Sequence, residues 1–208
     1  MDAPTDTLDP AASHAATPAT GPYHRWAFVE MLLSSLVGLV ASLVLSVDAV
    51  TLAANPEADL SCNISATISC ATVGLTWQAN LLGFPNAFLG LIAEPVVITL
   101  AVAALGGVRF PRWFMLWAQA IYSIGLAFAY WLFYQAYFQI HALCPWCLLI
   151  TVTTTLVFAS MTRVNILEGN LGEAARRRLE RPLRLGADVA GVIIVIAVLA
   201  AMVLYRYV

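Results

Sequence analysis

The sequence predicts an all-α integral membrane protein with five transmembrane helices, and three observations carry that prediction. Of its 208 residues 61% are apolar and 11% charged, with a mean hydropathy of +0.83, outside the range of soluble domains. The apolar residues gather in stretches near or above about eighteen residues, the length at which a helix crosses the hydrocarbon with its backbone polar groups satisfied. The basic residues sit between those stretches, and a formal net charge of -2 gives no electrostatic reason to expect nucleic acid.

Residues 1–22 are rich in Ala, Thr and Pro, with three acids and no Lys or Arg; they read as a disordered leader lacking the basic head of a signal peptide. The first span covers about residues 26–47, behind Tyr23, His24, Arg25 and Trp26, which suit a headgroup boundary. It is long enough to stay as a span. Residues 48–85 are too polar to cross, and their moderately apolar middle predicts partial helix lying against the membrane surface or the protein. The second span starts near Asn86 or Ala87 and ends near Leu105, before Gly106 and Gly107. A turn with Arg109, Pro111 and Arg112 leads to the third span, about residues 113–136, and the fourth runs from Cys144 to Met161 or Thr162. Spans two to four should form a compact bundle, with Gly90, Ala93 and Gly125 allowing close approach. Residues 163–188 hold six arginines and read as a basic linker. The fifth span, residues 189–203 within a 189–208 terminal segment, is short and uniformly Val, Ile, Leu and Ala, which suits a peripheral position facing lipid.

With five spans, nine of the ten basic residues fall on one side, and only Arg206 falls on the other. The positive side should be the cytoplasm, so the N-terminus is expected inside and the C-terminus outside. Both the 48–85 loop and the 137–144 connection then face outward, placing all four cysteines where disulfides form and exchange.

The sharpest local feature is His141-Ala-Leu-Cys144-Pro-Trp-Cys147 at the head of the fourth span. Proline at the second position puts Cys144 at or next to the helix N-cap, where unpaired amides and the positive helix end favour a thiolate. A pair three residues apart also suits apolar filling or half of a zinc site, though the latter would need Cys62 and Cys70 at an unusual separation. His141 suits packing as well as proton donation. Cys62 and Cys70 have seven residues between them in a loop, so they read either as a structural staple or as a shuttle that meets both an outside partner and the embedded pair. A dithiol at a helix end near the hydrocarbon points to a lipid-soluble two-electron acceptor, a quinone. Phe84, Phe88, Trp146 and Tyr134, with Trp131, Tyr137 and Phe138, are candidates to line its apolar pocket, or plain interface aromatics. Asn86 reads as a donor to a quinone carbonyl or as a helix cap. Glu94, about 12 Å further along the same helix, is costly in hydrocarbon unless neutral or paired, with Thr99, Ser123 or Thr151 as hydroxyl partners.

The run Cys62-Asn-Ile-Ser-Ala-Thr-Ile-Ser-Cys70, then Gly-Phe-Pro-Asn-Ala-Phe-Leu-Gly over residues 83–90, then Cys144-Pro-Trp-Cys147 at a span start is far more specific than any of its parts. Over about residues 26–162 the chain resembles the bacterial vitamin K epoxide reductase family in its stand-alone membrane form. The resemblance implies a four-helix catalytic core, residues 23–162, around a quinone (menaquinone or ubiquinone), with a loop half-helix over its outer opening. It implies that Cys147 meets the quinone, Cys144 exchanges with Cys70, and Cys62 takes electrons from a reduced partner. Asn86 matches the residue expected to hydrogen-bond the quinone, and Thr76 falls where the family commonly has Ser or Thr near the site. Thr151 stands where the vertebrate enzymes have a Tyr against their substrate, which argues against vitamin K epoxide turnover. Many bacterial relatives carry a fused thioredoxin-like domain; here the chain stops at Val208, so a separate extracytoplasmic thioredoxin-like oxidase is the expected partner.

The expected activity is quinone-dependent thiol oxidation in the bacterial inner (plasma) membrane, supporting disulfide formation in exported proteins. Its rivals are a quinone or quinone-epoxide reductase using the same cysteines, and a non-enzymatic membrane protein stapled by disulfides. Five spans without internal duplication argue against a transporter.

Overall fold

The computed structural model describes residues 22–207, and within them five helices are long and apolar enough to cross a membrane. The expected leader lies, except for Pro22, outside the described residues. The first helix, α1 (Pro22–Ala54), runs seven residues past its expected end at Val47. Nothing after Val47 breaks it: Asp48 and Thr51 are tolerated, with the Thr51 hydroxyl donating to Val47 O at 2.9 Å. Asn55-Pro56 stops it, because a residue before proline avoids the helical region.

The long loop holds two short helical pieces, α2 (Cys70–Gly74) and a 3₁₀ turn (Trp77–Asn80), as the mixed composition of that segment predicted. Then come α3 (Ala87–Leu105) and α4 (Arg112–Gln135), the latter running into a π-helical turn at Ala136–Ile140. His141 ends that turn at φ 59°, the left-handed region, and reverses the chain into α5 (Pro145–Leu167). The basic segment is more than a linker. Its first five residues complete α5, and α6 (Glu173–Arg184) is a helix whose Arg176 and Arg184 pair with Glu180 one turn away. The last span is α7 (Ala187–Tyr207).

The packing is centred on α1, which lies against α3 on one side and α5 on the other, with α4 on the far side of α5. Apolar surface gains little by leaving lipid for another helix, so close approach has to do the work. On α1 it is done by Ser35, Gly38, Ala41 and Ser42, a buried stripe of small residues at helical spacing. On α3 it is done by Gly90, where any Cβ would run into the Ser42 side chain. Spans two to four are therefore not the compact unit expected from their closeness in sequence. No extended contact joins α3 to α4, and nothing lies within 4 Å of where a Gly125 Cβ would be.

Two features set the ends of the bundle. Where the arginines cluster, Asn165 of α5 donates to Gln119 Oε1 (3.1 Å) and to Met115 O (3.4 Å), and accepts from Asn170 Nδ2 (2.9 Å). Arg112 Nε donates to Asn170 O at 2.8 Å, and Arg163 pairs with Asp188 at 2.6 Å, tying α4, α5 and the start of α7 together. At the opposite end α7 touches the bundle through the π-helical turn: Tyr137 donates to Met202 O at 3.3 Å and lies under the Arg206 guanidinium at 4.9 Å. Only 6% of the apolar window of α7 is buried, against 44% for α5, so the fifth span is peripheral as its composition predicted.

Candidate functional site

The four cysteines meet at the end of the bundle away from the arginine cluster. A short parallel bridge brings them together: Leu143 N donates to Thr67 O at 2.9 Å and Ser69 N to Leu143 O at 3.0 Å, which joins the loop to the residue before Cys144. The loop is shaped locally by polar side chains. The Ser69 hydroxyl caps α2 by accepting from Thr72 N (3.1 Å), and Asn63 Oδ1 accepts from both Ser69 Oγ (2.9 Å) and Ala71 N (3.2 Å). Cys70 thus opens α2 directly over the head of α5. Trp77 of the 3₁₀ turn packs on Trp131 of α4, ring centroids 6.2 Å apart, and holds the loop from the other side.

Cys62 and Cys70 are joined in a disulfide, while Cys144 and Cys147 are free. Cys144 Sγ is 3.2 Å from Cys70 Sγ, so the free thiol touches a disulfide sulfur in the geometry that exchange requires. Both sulfurs are buried from solvent. Cys144 is the N-cap of α5, with Pro145 at the position where a missing N–H costs nothing, and its sulfur accepts from Cys147 N at 3.4 Å. The Cys147 thiol hydrogen-bonded to it holds the Cys144 thiol below its ordinary range, and the amides of Cys147 and Trp146 add to this. Burial and the Asp48 carboxylate push the other way. Cys144 is therefore the sulfur of its pair most readily ionised and the one aimed at Cys70. Asp48, Cys62 and Cys70 lie within 4.8 Å of one another, but the two sulfurs are bonded together and neither is a thiolate able to ligate a metal.

Beneath the cysteines is a cavity of about 810 Å³, walled by α1, α3, α4 and α5 and roofed by the loop. Its lining is almost wholly apolar, with a few polar atoms, as small-molecule sites commonly are. Ile92 and Val96 of α3 and Ile121 and Ile124 of α4 line it and yet are 55–71% exposed, so it opens sideways between these two helices. This opening is the gap left where α3 and α4 do not pack.

Of the residues singled out from sequence, Cys70, Thr76, Asn86, Cys144, Cys147 and Thr151 line the cavity. Thr76 and Thr151 spend their hydroxyl protons on Val73 O (2.7 Å) and Cys147 O (2.9 Å). Asn86 does not cap α3 with its side chain: Nδ2 donates to Gln78 O at 2.6 Å, leaving one N–H, and Oδ1 is buried without a partner. Phe84, Phe88, Trp146 and Tyr134 are not brought to the cavity. Phe84 stacks on Phe88 beside it, Tyr134 faces outward against Phe138, and Trp146 packs against the cysteine cluster. The aromatic walls come instead from Phe128 and Phe133, on the face of α4 that presents residues 118, 121, 122, 125, 129, 132 and 136. That helical spacing is visible in the sequence, although the position of the cavity along it is not. His141 is exposed and its ring nitrogen pairs with Gln139 O at 3.0 Å, part of the turn that delivers Cys144.

Glu94 is paired, but not with Thr99, Ser123 or Thr151, which bond to carbonyls of their own helices. Tyr122 donates to its Oε1 at 3.1 Å, while Oε2 is buried without a partner. Both side chains line the deep end of the cavity. Gly38 makes room for the carboxyl, since a Cβ there would lie 2.9 Å from Glu94 Oε1.

With this geometry in hand, the family model of the vitamin K epoxide reductase family matches residues 29–162, from the first turns of α1 to the last turns of α5 and well over half of the chain. The chain belongs to the vitamin K epoxide reductase family. No curated protein matches it. Family membership and two cysteine pairs in sulfur contact support a redox role of the vitamin K epoxide reductase type, carried out by a multi-pass membrane protein. The matched region contains all four cysteines, the cavity and the loop, and leaves α6 and α7 outside it.

Proposed function

We propose that this chain is a quinone-linked thiol oxidase that reoxidises an extracytoplasmic thioredoxin-like protein and so supports disulfide formation in exported proteins. The observation that carries the reading is the 3.2 Å approach of Cys144 to Cys70 directly above an apolar cavity that also contacts Cys147. The fit of the cavity to a quinone rests on its size, its apolar walls, its sideways opening toward lipid, and the remaining Asn86 N–H, which can donate to a carbonyl, while the unpartnered Oδ1 can accept from a quinol hydroxyl. A quinone supplies a two-electron, two-proton acceptor when bound.

The chain's own residues account for the other steps. A reduced partner attacks Cys62 and releases Cys70 as thiolate; the partner's second thiol then closes the partner's own disulfide and frees Cys62, while Cys70 attacks Cys144 of the oxidised inner pair, expelling Cys147. Cys62 then closes on Cys70 and frees Cys144, so that Cys144 and Cys147 again hold two electrons and two protons beside the cavity. Asn86 orients a carbonyl there by hydrogen bonding, and the loop keeps water from the sulfurs. Topology agrees with this, since the arginine-rich end suits the cytoplasm and leaves the cysteines on the oxidising side.

The test is a coupled assay with purified protein, a reduced thioredoxin-like dithiol protein and a soluble analogue of menaquinone or ubiquinone. Quinol should form in one-to-one proportion with partner disulfide. Thiol oxidation that proceeds equally without quinone would overturn the reading.

A further inference from the structure

Asp48 has no part in the route just described, yet it lies at the sulfurs. Helix α1 overruns its expected end by two turns, and this carries Asp48 up beside the loop, where its Oδ2 is 3.7 Å from Cys62 Sγ. The same carboxylate is within 4.8 Å of Cys70 Sγ, which is itself 3.2 Å from Cys144 Sγ. Resting on the exchange route above, we infer that Asp48 is the proton acceptor for Cys62 when Cys62 resolves the mixed disulfide between Cys70 and Cys144.

The step balances as follows. Cys62 thiol, the Cys70–Cys144 disulfide and the Asp48 carboxylate become the Cys62–Cys70 disulfide, the Cys144 thiolate and the Asp48 carboxylic acid. One S–S bond forms and one breaks, Cys62 is oxidised, Cys144 is reduced, and the proton passes from Cys62 to Asp48. Negative charge moves from the carboxylate to Cys144. That movement matters because the ionised Asp48 opposes a thiolate at Cys144, so neutralising Asp48 in the same step removes the charge that would resist its product. The arrangement in the structure, with Cys62 bonded to Cys70 and Cys144 free against them, is that of the products. Beside Asp48 the titratable groups are the cysteines, Cys62 and Cys70 from the loop and Cys144 from the head of α5. The loop adds the acids Glu57 and Asp59, residues 49–108 contain no Lys, Arg or His, and His141, three residues before Cys144, is exposed with a ring nitrogen paired to Gln139 O.

A Cys147→Ser protein isolates this step, because three sulfurs then share one disulfide, either Cys62–Cys70 or Cys70–Cys144, and their interconversion needs neither quinone nor partner. After a brief pulse of limiting diamide on the fully reduced full chain, samples are quenched by alkylation at intervals and the two disulfides are quantified by mass spectrometry. In this background Asp48→Asn should slow conversion of Cys70–Cys144 to Cys62–Cys70 by about tenfold, below the usual range for general-base catalysis because a carboxylate is a weak base for a thiol. The deficit should shrink as pH rises through the thiol range, and Asp48→Glu should restore most of the rate. An unchanged rate in Asp48→Asn overturns the inference. So does a deficit equal at all pH values and shared by Asp48→Glu, the mark of a merely structural role. Failure of the quinone assay with this exchange intact would instead strike the acceptor in the proposed function.

Discussion

At the head of α5, Cys144 and Cys147 stand against a loop fastened by two main-chain hydrogen bonds, and Asn86 Oδ1 and Glu94 Oε2 in the cavity below have no partner. Near the foot of the same helix Asn165 is the centre of a network in which Gln119, Thr162, Asn170, Glu168 and Arg112 are all engaged. Asn165 and Asn170 at the foot, like Asn86 Oδ1 and Glu94 Oε2 at the head, are removed from water, where a missing hydrogen bond costs about 1–3 kcal/mol. The comparison teaches which polar residues of a membrane bundle hold it together and which wait for something else. The network around Asn165 is structural, and the unpartnered atoms at that end, Arg163 Nε and Asp188 Oδ1, belong to an ion pair and do not line the cavity; the unpartnered atoms that do line it form a site for a ligand.

The largest effects expected at the head are on activity. Cys147→Ser should abolish quinone reduction with either reductant, while Cys62→Ala should abolish it with the thioredoxin-like protein and retain it with a small membrane-permeant dithiol. Cys147→Ser should alter unfolding in detergent little. Equal loss with both reductants in Cys62→Ala would remove the shuttle from the comparison.

Midway, Gly90→Ala forces a methyl into Ser42 at the tightest α1–α3 contact and should cost about 1–3 kcal/mol, read as a lowered midpoint of thermal unfolding. At the foot, Asn165→Ala strands Gln119 and Asn170 and should cost a similar or slightly smaller amount, about 1–2 kcal/mol, with quinol formation per folded molecule unchanged. An Asn165→Ala protein that folds normally but loses turnover would erase the distinction between the two ends.

Much of this architecture was legible in the sequence because hydropathy and helical length are local properties. The five spans, the peripheral last helix and the positions of the cysteines follow from residues read in a row. What required the structure was long-range. Ser123 and Tyr122 are adjacent in sequence, but a helix turns each residue about 100° from the last, and only Tyr122 faces Glu94. The aromatics near the chemistry in sequence, Phe84, Phe88, Trp146 and Tyr134, gave way to Phe128 and Phe133 because α3 and α4 stand apart and expose a different face of α4 to the cavity. The extension of α1 to Ala54 escaped because Asp48 reads as the start of a loop when its neighbours in space are unknown. The α6 helix escaped because its five arginines read as a charged linker between spans, although arginine is itself a good helix former.

The gap between α3 and α4 faces sideways, while Cys62 lies under the loop at the end of the bundle. Under the proposed function, a water-borne reductant and a greasy oxidant would therefore dock at separate doors, one at the end of the bundle and one at its side, and neither would stand in the other's way. Raising the concentration of one should leave the Michaelis constant of the other free of competitive inhibition, and a lipid tail trailing into the bilayer would cost the docking of a protein nothing.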